Sequence, residues 1–256
     1  MTLLYAVVLF AFEAILAYVL PMFQTELLGT WLEVEFVQKF LEALLGVEVG
    51  TSFGPAFLQA FPWVHPVILS VLWAHEVTFC TRVPAGEIDR GTIDFLLGLP
   101  VSRPQVYLCD SVVLLGGGVV LIVSLLLGNQ LGTSLATEAV APENTRLTVV
   151  LLNLGALYIA VGGVSYLVTA CCDRCGNAVA IIFVILLVSF LINLLAQFWE
   201  TAEAFRFLSI LSYYQPIHIL RGEAFPYADV GVLVAVGAIT WWLGGRVFAR
   251  RDLCTL

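Results

Sequence analysis

The chain has 256 residues, 61% of them hydrophobic and 12% charged, with a net charge of -8 and a mean hydropathy of +0.99. A soluble domain could not cover that much apolar surface, and no nucleic-acid partner is expected of so acidic a chain. Lipid is the natural solvent, where spanning backbones are helices or closed barrels; long apolar runs without alternation exclude the barrel. The expected class is an all-α, polytopic helical membrane protein forming a single transmembrane domain over residues 1–256.

A span needs about 20 mostly apolar residues. Six stretches are read as spans, near residues 3–20, 66–81, 105–127, 147–170, 178–197 and 230–248. The first carries Glu13, lacks a basic n-region and has a poor cleavage site at Val19 to Met22, so it is expected to be retained rather than removed as a signal peptide. After it, Leu32, Phe36, Val37, Phe40, Leu41 and Leu44 make an apolar stripe at helical spacing, which predicts an amphipathic helix lying in the outer interface. That helix would cap a translocation path or simply seal the rim of the bundle. The second span is the least regular, because His75 and Glu76 interrupt it and Pro62, Trp63 and Pro66 blur its start.

Between the second and third spans lies R-V-P-A-G-E-I-D-R-G-T-I-D-F-L-L-G-L-P-V-S-R, Arg82 to Arg103. Ile88, Thr92, Phe95, Leu96 and Leu99 fall on one face at helical period, with most of the charges elsewhere. The spacing predicts a compact surface helix between Pro84 and Pro100, since proline cannot continue a helix without losing a backbone hydrogen bond.

Gly116, Gly117 and Gly118 in the third span, and Gly155, Gly162 and Gly163 in the fourth, are small residues that let helices approach closely in lipid. The short turn after the fourth span reads C-C-D-R-C. It contains a CxxC, Cys172 and Cys175, a low-specificity candidate for a soft-metal site set against ordinary structural thiols. No metal is otherwise expected. The last outer loop, from Phe198 to Asp229, carries Trp199, Phe205, Phe207, Tyr213, Tyr214 and Phe225, residues suited to a headgroup-level belt and to a short re-entrant or interfacial helix.

Six spans place both termini on one side, and the basic residues say which. With the termini in the cytoplasm, Arg82, Arg90, Arg103, Arg174, Arg246, Arg250 and Arg251 are inside, and Lys39, Arg146, Arg206 and Arg221 are outside. Cys80, Cys109, Cys171, Cys172, Cys175 and Cys254 all fall at inner ends, as reduced thiols in a reducing compartment would.

Ionisable groups within spans are costly and mark function by default. Glu13, His75 and Glu76 are therefore candidates for a translocation path, with interhelical hydrogen bonding as the structural alternative; Asp110 lies near the inner end of the third span. No phosphate-binding loop is present: the chain has one lysine, Lys39, in V-Q-K-F. Zinc-protease, serine-elbow and paired-acid motifs are also missing, so no catalytic residue is expected and the chain is not read as an enzyme.

Three segments together resemble permease subunits of the type 2 ABC transporter superfamily. They are E-I-D-R-G-T-I-D-F-L-L-G-L-P-V-S-R (Glu87 to Arg103), L-S-Y-Y-Q-P-I-H-I-L-R-G (Leu211 to Gly222) and the ending F-A-R-R-D-L (Phe248 to Leu253). Unlike many members, the sequence has no basic segment before its first span. The resemblance implies a homodimer, or a pair with a second permease, docked in the prokaryotic plasma (inner) membrane on cytoplasmic ABC ATPase subunits that bind ATP and Mg. It implies no cofactor in this chain. Carried over by position, Glu87, Gly91, Thr92, Leu96, Leu97 and Pro100 would form the coupling helix that transmits ATPase closure. The function so implied is an ATP-driven exporter working by alternating access. Two alternatives stay open: an assembly factor for copper-enzyme maturation of the nitrous oxide reductase type, and an ion-coupled secondary carrier using Glu13 and Glu76.

Overall fold

A computed structural model describes residues 1–23, 34, 55–136, 144–196, 199–222 and 224–251. The regular structure among them is helical throughout: α1 (Thr2–Val19), α2 (Pro55–Val64), α3 (Pro66–Cys80), α4 (Glu87–Asp89), α5 (Ile93–Leu97), α6 (Arg103–Leu135), α7 (Asn144–Cys171), α8 (Cys175–Leu195), α9 (Glu200–Glu203), α10 (Pro216–Leu220) and α11 (Tyr227–Arg250). The expected outer amphipathic helix over Leu32 to Leu44 lies outside the described residues, apart from Val34.

Among the described residues five helices, α1, α6, α7, α8 and α11, are long and apolar enough to cross a membrane. The second expected span is α3, which has 15 residues. At 1.5 Å per residue it rises about 22 Å, short of the ~30 Å hydrocarbon core. Its own sequence bounds it at both ends. His65 is extended and its Nδ1 accepts from the Val67 amide at 3.2 Å, with Pro66 at the first helical position. At the other end Val83 adopts an extended backbone, so the helix cannot run on.

α7 is the hub of the bundle, packing against α3, α6, α8, α10 and α11. Leu147, Val150, Leu154, Leu157, Val161 and Tyr166 on it are all buried. α11 lies along α7 in the same direction, and Gly163 and Gly237 set the spacing: a Cβ on Gly237 would come 2.6 Å from the Ile159 carbonyl oxygen. α1 lies along α6, also in the same direction, with Gly128 beside Phe10 and Gly132 beside Ala14. Without hydrophobic drive between helices in lipid, such backbone approaches supply the van der Waals contact that holds them. Of the three consecutive glycines, Gly118 makes room for a side chain, since a Cβ there would lie 2.5 Å from the Tyr158 ring, whereas Gly116 faces open space.

The segment before α11 is more enclosed than an aromatic belt. Trp199, Phe205 and Phe207 are exposed as expected. Tyr214, however, is buried and donates its hydroxyl to the Trp63 carbonyl at 3.0 Å. Asn153 of α7 donates to the Tyr213 carbonyl at 3.3 Å and accepts from the Gln215 amide at 3.2 Å. α10, with Pro216, Ile217, Ile219 and Leu220 buried, is thereby seated against α2 and α7.

Candidate functional site

The segment joining α3 to α6 is built from its backbone outward. Thr81 closes α3 by donating its hydroxyl to the Val77 carbonyl at 2.7 Å. Its own carbonyl accepts the Gly86 amide at 2.9 Å, and a Cβ at Gly86 would come 2.8 Å from that oxygen. Pro84, Ala85 and Gly86 are buried, and residues 82–86 pack against α7 and α8. Arg82 turns back over the Phe79 ring, 5.6 Å from its centroid.

The continuous helix expected between Pro84 and Pro100 is instead two short helical turns, α4 and α5. The break is at Gly91, whose φ of +68° lies in the left-handed region that glycine occupies without a Cβ penalty. Around it the Gly91 amide bonds to the Ile88 carbonyl and the Thr92 amide to the Glu87 carbonyl, both at 2.9 Å. Glu87 pins the turn: its Oε2 accepts the Thr92 hydroxyl at 2.5 Å and its Oε1 pairs with Arg90. The Thr92 hydrogen bond, followed by Arg90 and Arg82, holds the Glu87 carboxyl below its ordinary value of 4.5.

The break also rotates the apolar residues. Ile93, off the face that a straight helix would present, is fully buried and anchors α5. Phe95 is 82% exposed and Leu99 55% exposed, while Leu96 and Leu97 are half-buried. Pro100 is exposed and precedes α6, which opens with a capping box: the Gln105 amide bonds to Ser102 Oγ, and Ser102 N donates to Gln105 Oε1 at 2.8 Å.

The helix ends on this side of the bundle meet beside the segment. Arg103 donates to the carbonyl of Arg251 at 2.5 Å. Arg251 in turn donates to the carbonyls of Ala170 at 3.0 Å and Cys172 at 3.1 Å and pairs with Asp173. Asp89 Oδ2 accepts the Cys175 amide at 3.2 Å. None of these contacts is visible in residue spacing, because each joins segments distant in sequence.

Glu13, His75 and Glu76 sit at two levels of the bundle. Glu13 is buried and its Oε1 accepts from Asn129 Nδ2 at 2.8 Å. His75 lies between Thr2 and Tyr158, with its Nε2 and Nδ1 each 3.1 Å from a hydroxyl. Glu76 faces Gly162 on α7, and neither of its carboxyl oxygens has a hydrogen-bond partner among the described residues. Gly117, beside His75, and Asn129, beside Glu13, are about 18 Å apart along α6 at the helical rise. Asp110, below them, accepts from the Tyr166 hydroxyl at 2.7 Å.

Cys172 and Cys175 are half-buried in the α7–α8 turn, and among the described residues no three His, Cys, Asp or Glu side chains are grouped to hold a metal ion. Cys80 is buried apart from them, 3.9 Å from the Gly162 carbonyl. Two apolar hollows open between the helices, one of about 510 Å³ between α3 and α8 and one of about 310 Å³ among α6, α7 and α11.

No curated protein matches the chain. One family model does: that described as "Multidrug efflux system permease Rv1217c, C-terminal domain" matches residues 37–249, which run from the segment before α2 to the last turn of α11. With five helices fit to cross a bilayer and that match over most of its length, this chain is a membrane protein and belongs to the multidrug efflux permease family.

Proposed function

We propose that the chain is the membrane-spanning permease subunit of an ATP-driven exporter in a prokaryotic plasma membrane, with both termini in the cytoplasm. α3 makes the sixth crossing, its depth completed by the segments flanking it. The subunit works by alternating access as a homodimer or beside a second permease. Hydrolysis of ATP, with Mg, takes place in a separate cytoplasmic ABC ATPase.

The observation that carries this reading is the loop between α3 and α6. A bundle end that gathers Arg82, Arg90, Arg103, Arg174 and Arg251 suits the cytoplasmic side. At that end Phe95 and Leu99 stand out on a turn fixed by Glu87, Gly91 and Thr92 and rooted by buried Ile93. An apolar pair on a short, preorganised element is what a groove on a partner can accept. Leu96 and Leu97, half-buried, join it to the bundle.

Co-purification with a co-expressed ABC ATPase from the same organism tests the assignment. A stable complex whose ATP hydrolysis responds to Phe95→Ala supports it, and failure of the folded permease to associate argues against it. The ion-coupled carrier is favoured by one observation, a Glu76 carboxyl that is fully buried within the bundle and has no side-chain partner among the described residues. Proton-dependent, ATP-independent transport in liposomes would select that reading instead.

A further inference from the structure

α8 begins without the means to cap itself. Its N-cap residue is Arg174, whose side chain makes no capping hydrogen bond, and its first turn contains no acidic residue. The first amides of a helix have no intrahelical acceptor, and a cation at that end opposes the helix dipole. The acceptor comes instead from 86 residues upstream, where Asp89 Oδ2 takes the Cys175 amide at 3.2 Å. Asp89 ends α4 and belongs to the loop that hangs from α3.

That loop therefore holds the inner ends of two helices, α3 through the chain itself and α8 through the Asp89 carboxylate and the packing of residues 82–86. The same two helices form the walls of the 510 Å³ groove, with Leu69, Trp73 and Val77 on one side and Phe183, Leu186 and Phe190 on the other. The far side of the α7–α8 turn is fixed independently, by Arg251 on the Ala170 and Cys172 carbonyls and on Asp173. The first turn of α8 thus lies between the Arg251 contacts on one side and a cap carried by the loop on the other.

We infer that Asp89 is a positioning residue that hands motion of the loop to α8 and so sets the separation of α3 and α8 along their groove. This rests on the reading of the loop as the ATPase contact. When Phe95 and Leu99 are pushed by a partner, α4 shifts with them. The α8 terminus either follows its cap or loses it. A carboxylate supplied in trans to a helix that cannot cap itself makes the order of that helix end conditional on loop position.

The test places spin labels at positions 78 and 179, on opposite walls of the groove, and measures their separation in the permease–ATPase complex with and without ATP and vanadate. The wild-type chain is expected to show an ATP-dependent change in separation. Asp89→Ala is expected to lose at least half of it, and Asp89→Asn, whose amide oxygen still accepts, to restore it. Asp89 is exposed, so both variants are expected to fold and to melt near the wild-type temperature. An Asp89→Ala variant that moves like wild type overturns the inference while leaving the loop's docking role intact. So does one that melts lower with an unchanged ATP-dependent shift, since that is a purely structural cap. Absence of a complex with the wild-type chain overturns the docking reading itself, and with it the inference.

Discussion

The Thr92 hydroxyl donates to Glu87 Oε2 at 2.5 Å across Gly91, and that bond fixes the turn on which Phe95 is presented. At Gly91 a Cβ would meet nothing within 4 Å, so the requirement for glycine there is purely conformational. Gly91→Ala is expected to cost the loop about 1–2 kcal/mol, the penalty of a left-handed backbone for an L-residue. Melting of the purified permease should drop by no more than about a few degrees while stimulation of the partner's ATP hydrolysis falls. A normal stimulation would show that the turn geometry is not used.

Glu87 gives the same turn a pH dependence. Its carboxyl is held below the ordinary 4.5 by Thr92, Arg90 and Arg82. A depressed folded-state value means that the contact stabilises the turn above the ordinary value and that this stabilisation is lost as pH falls through the depressed one. Protection of the Thr92 amide from hydrogen exchange, corrected for intrinsic rates, should hold from neutral pH down to about 4.5 and then decline. Glu87→Gln should flatten that profile.

Helix spacing in the bundle is set by a few glycines, and their substitutions should separate sharply. Gly237→Val drives new atoms into the Ile159 carbonyl and should destabilise the α7–α11 pair by roughly 1–3 kcal/mol. Gly116→Ala, which meets open space, should stay within about 0.5 kcal/mol. Thermal melting in detergent distinguishes them, and equal losses would contradict the packing described here.

His75 links α1 to α7 through Thr2 and Tyr158. In membrane bundles such interhelical hydrogen bonds are worth about 0.5–2 kcal/mol. A double-mutant cycle of His75→Ala and Tyr158→Phe should return a coupling energy in that range. Additive losses would mean that the two rings merely pack.

Much of this architecture was legible in the sequence, because in lipid a long apolar run signals a spanning helix, although α6 continues to Leu135, past the expected end near residue 127. α1, α6, α7, α8 and α11 fall where the runs predict. The second run also falls where it is read, near residues 66–81, with His65 and Val83 as its bounds; at 15 residues, though, α3 is shorter than the five helices long enough to cross a membrane. In the loop, periodicity places Ile88, Thr92, Phe95, Leu96 and Leu99 on one face of a straight helix. The left-handed Gly91 divides it, buries Ile93 and turns Phe95 outward. Tyr214 read as interfacial because nothing in its local spacing points to the Trp63 carbonyl. Asp89 and Arg251 act across the bundle, on segments that only the fold brings beside them.

In the proposed assembly the turn bearing Phe95 touches a cytoplasmic ATPase. A photo-crosslinking amino acid at position 95, irradiated in cells that express both proteins, tests it most directly. A crosslinked band containing the ATPase, weakened by Gly91→Ala, is the predicted result. Absence of any ATPase adduct, together with labelling of position 95 by a membrane-impermeant reagent added outside intact cells, would contradict it.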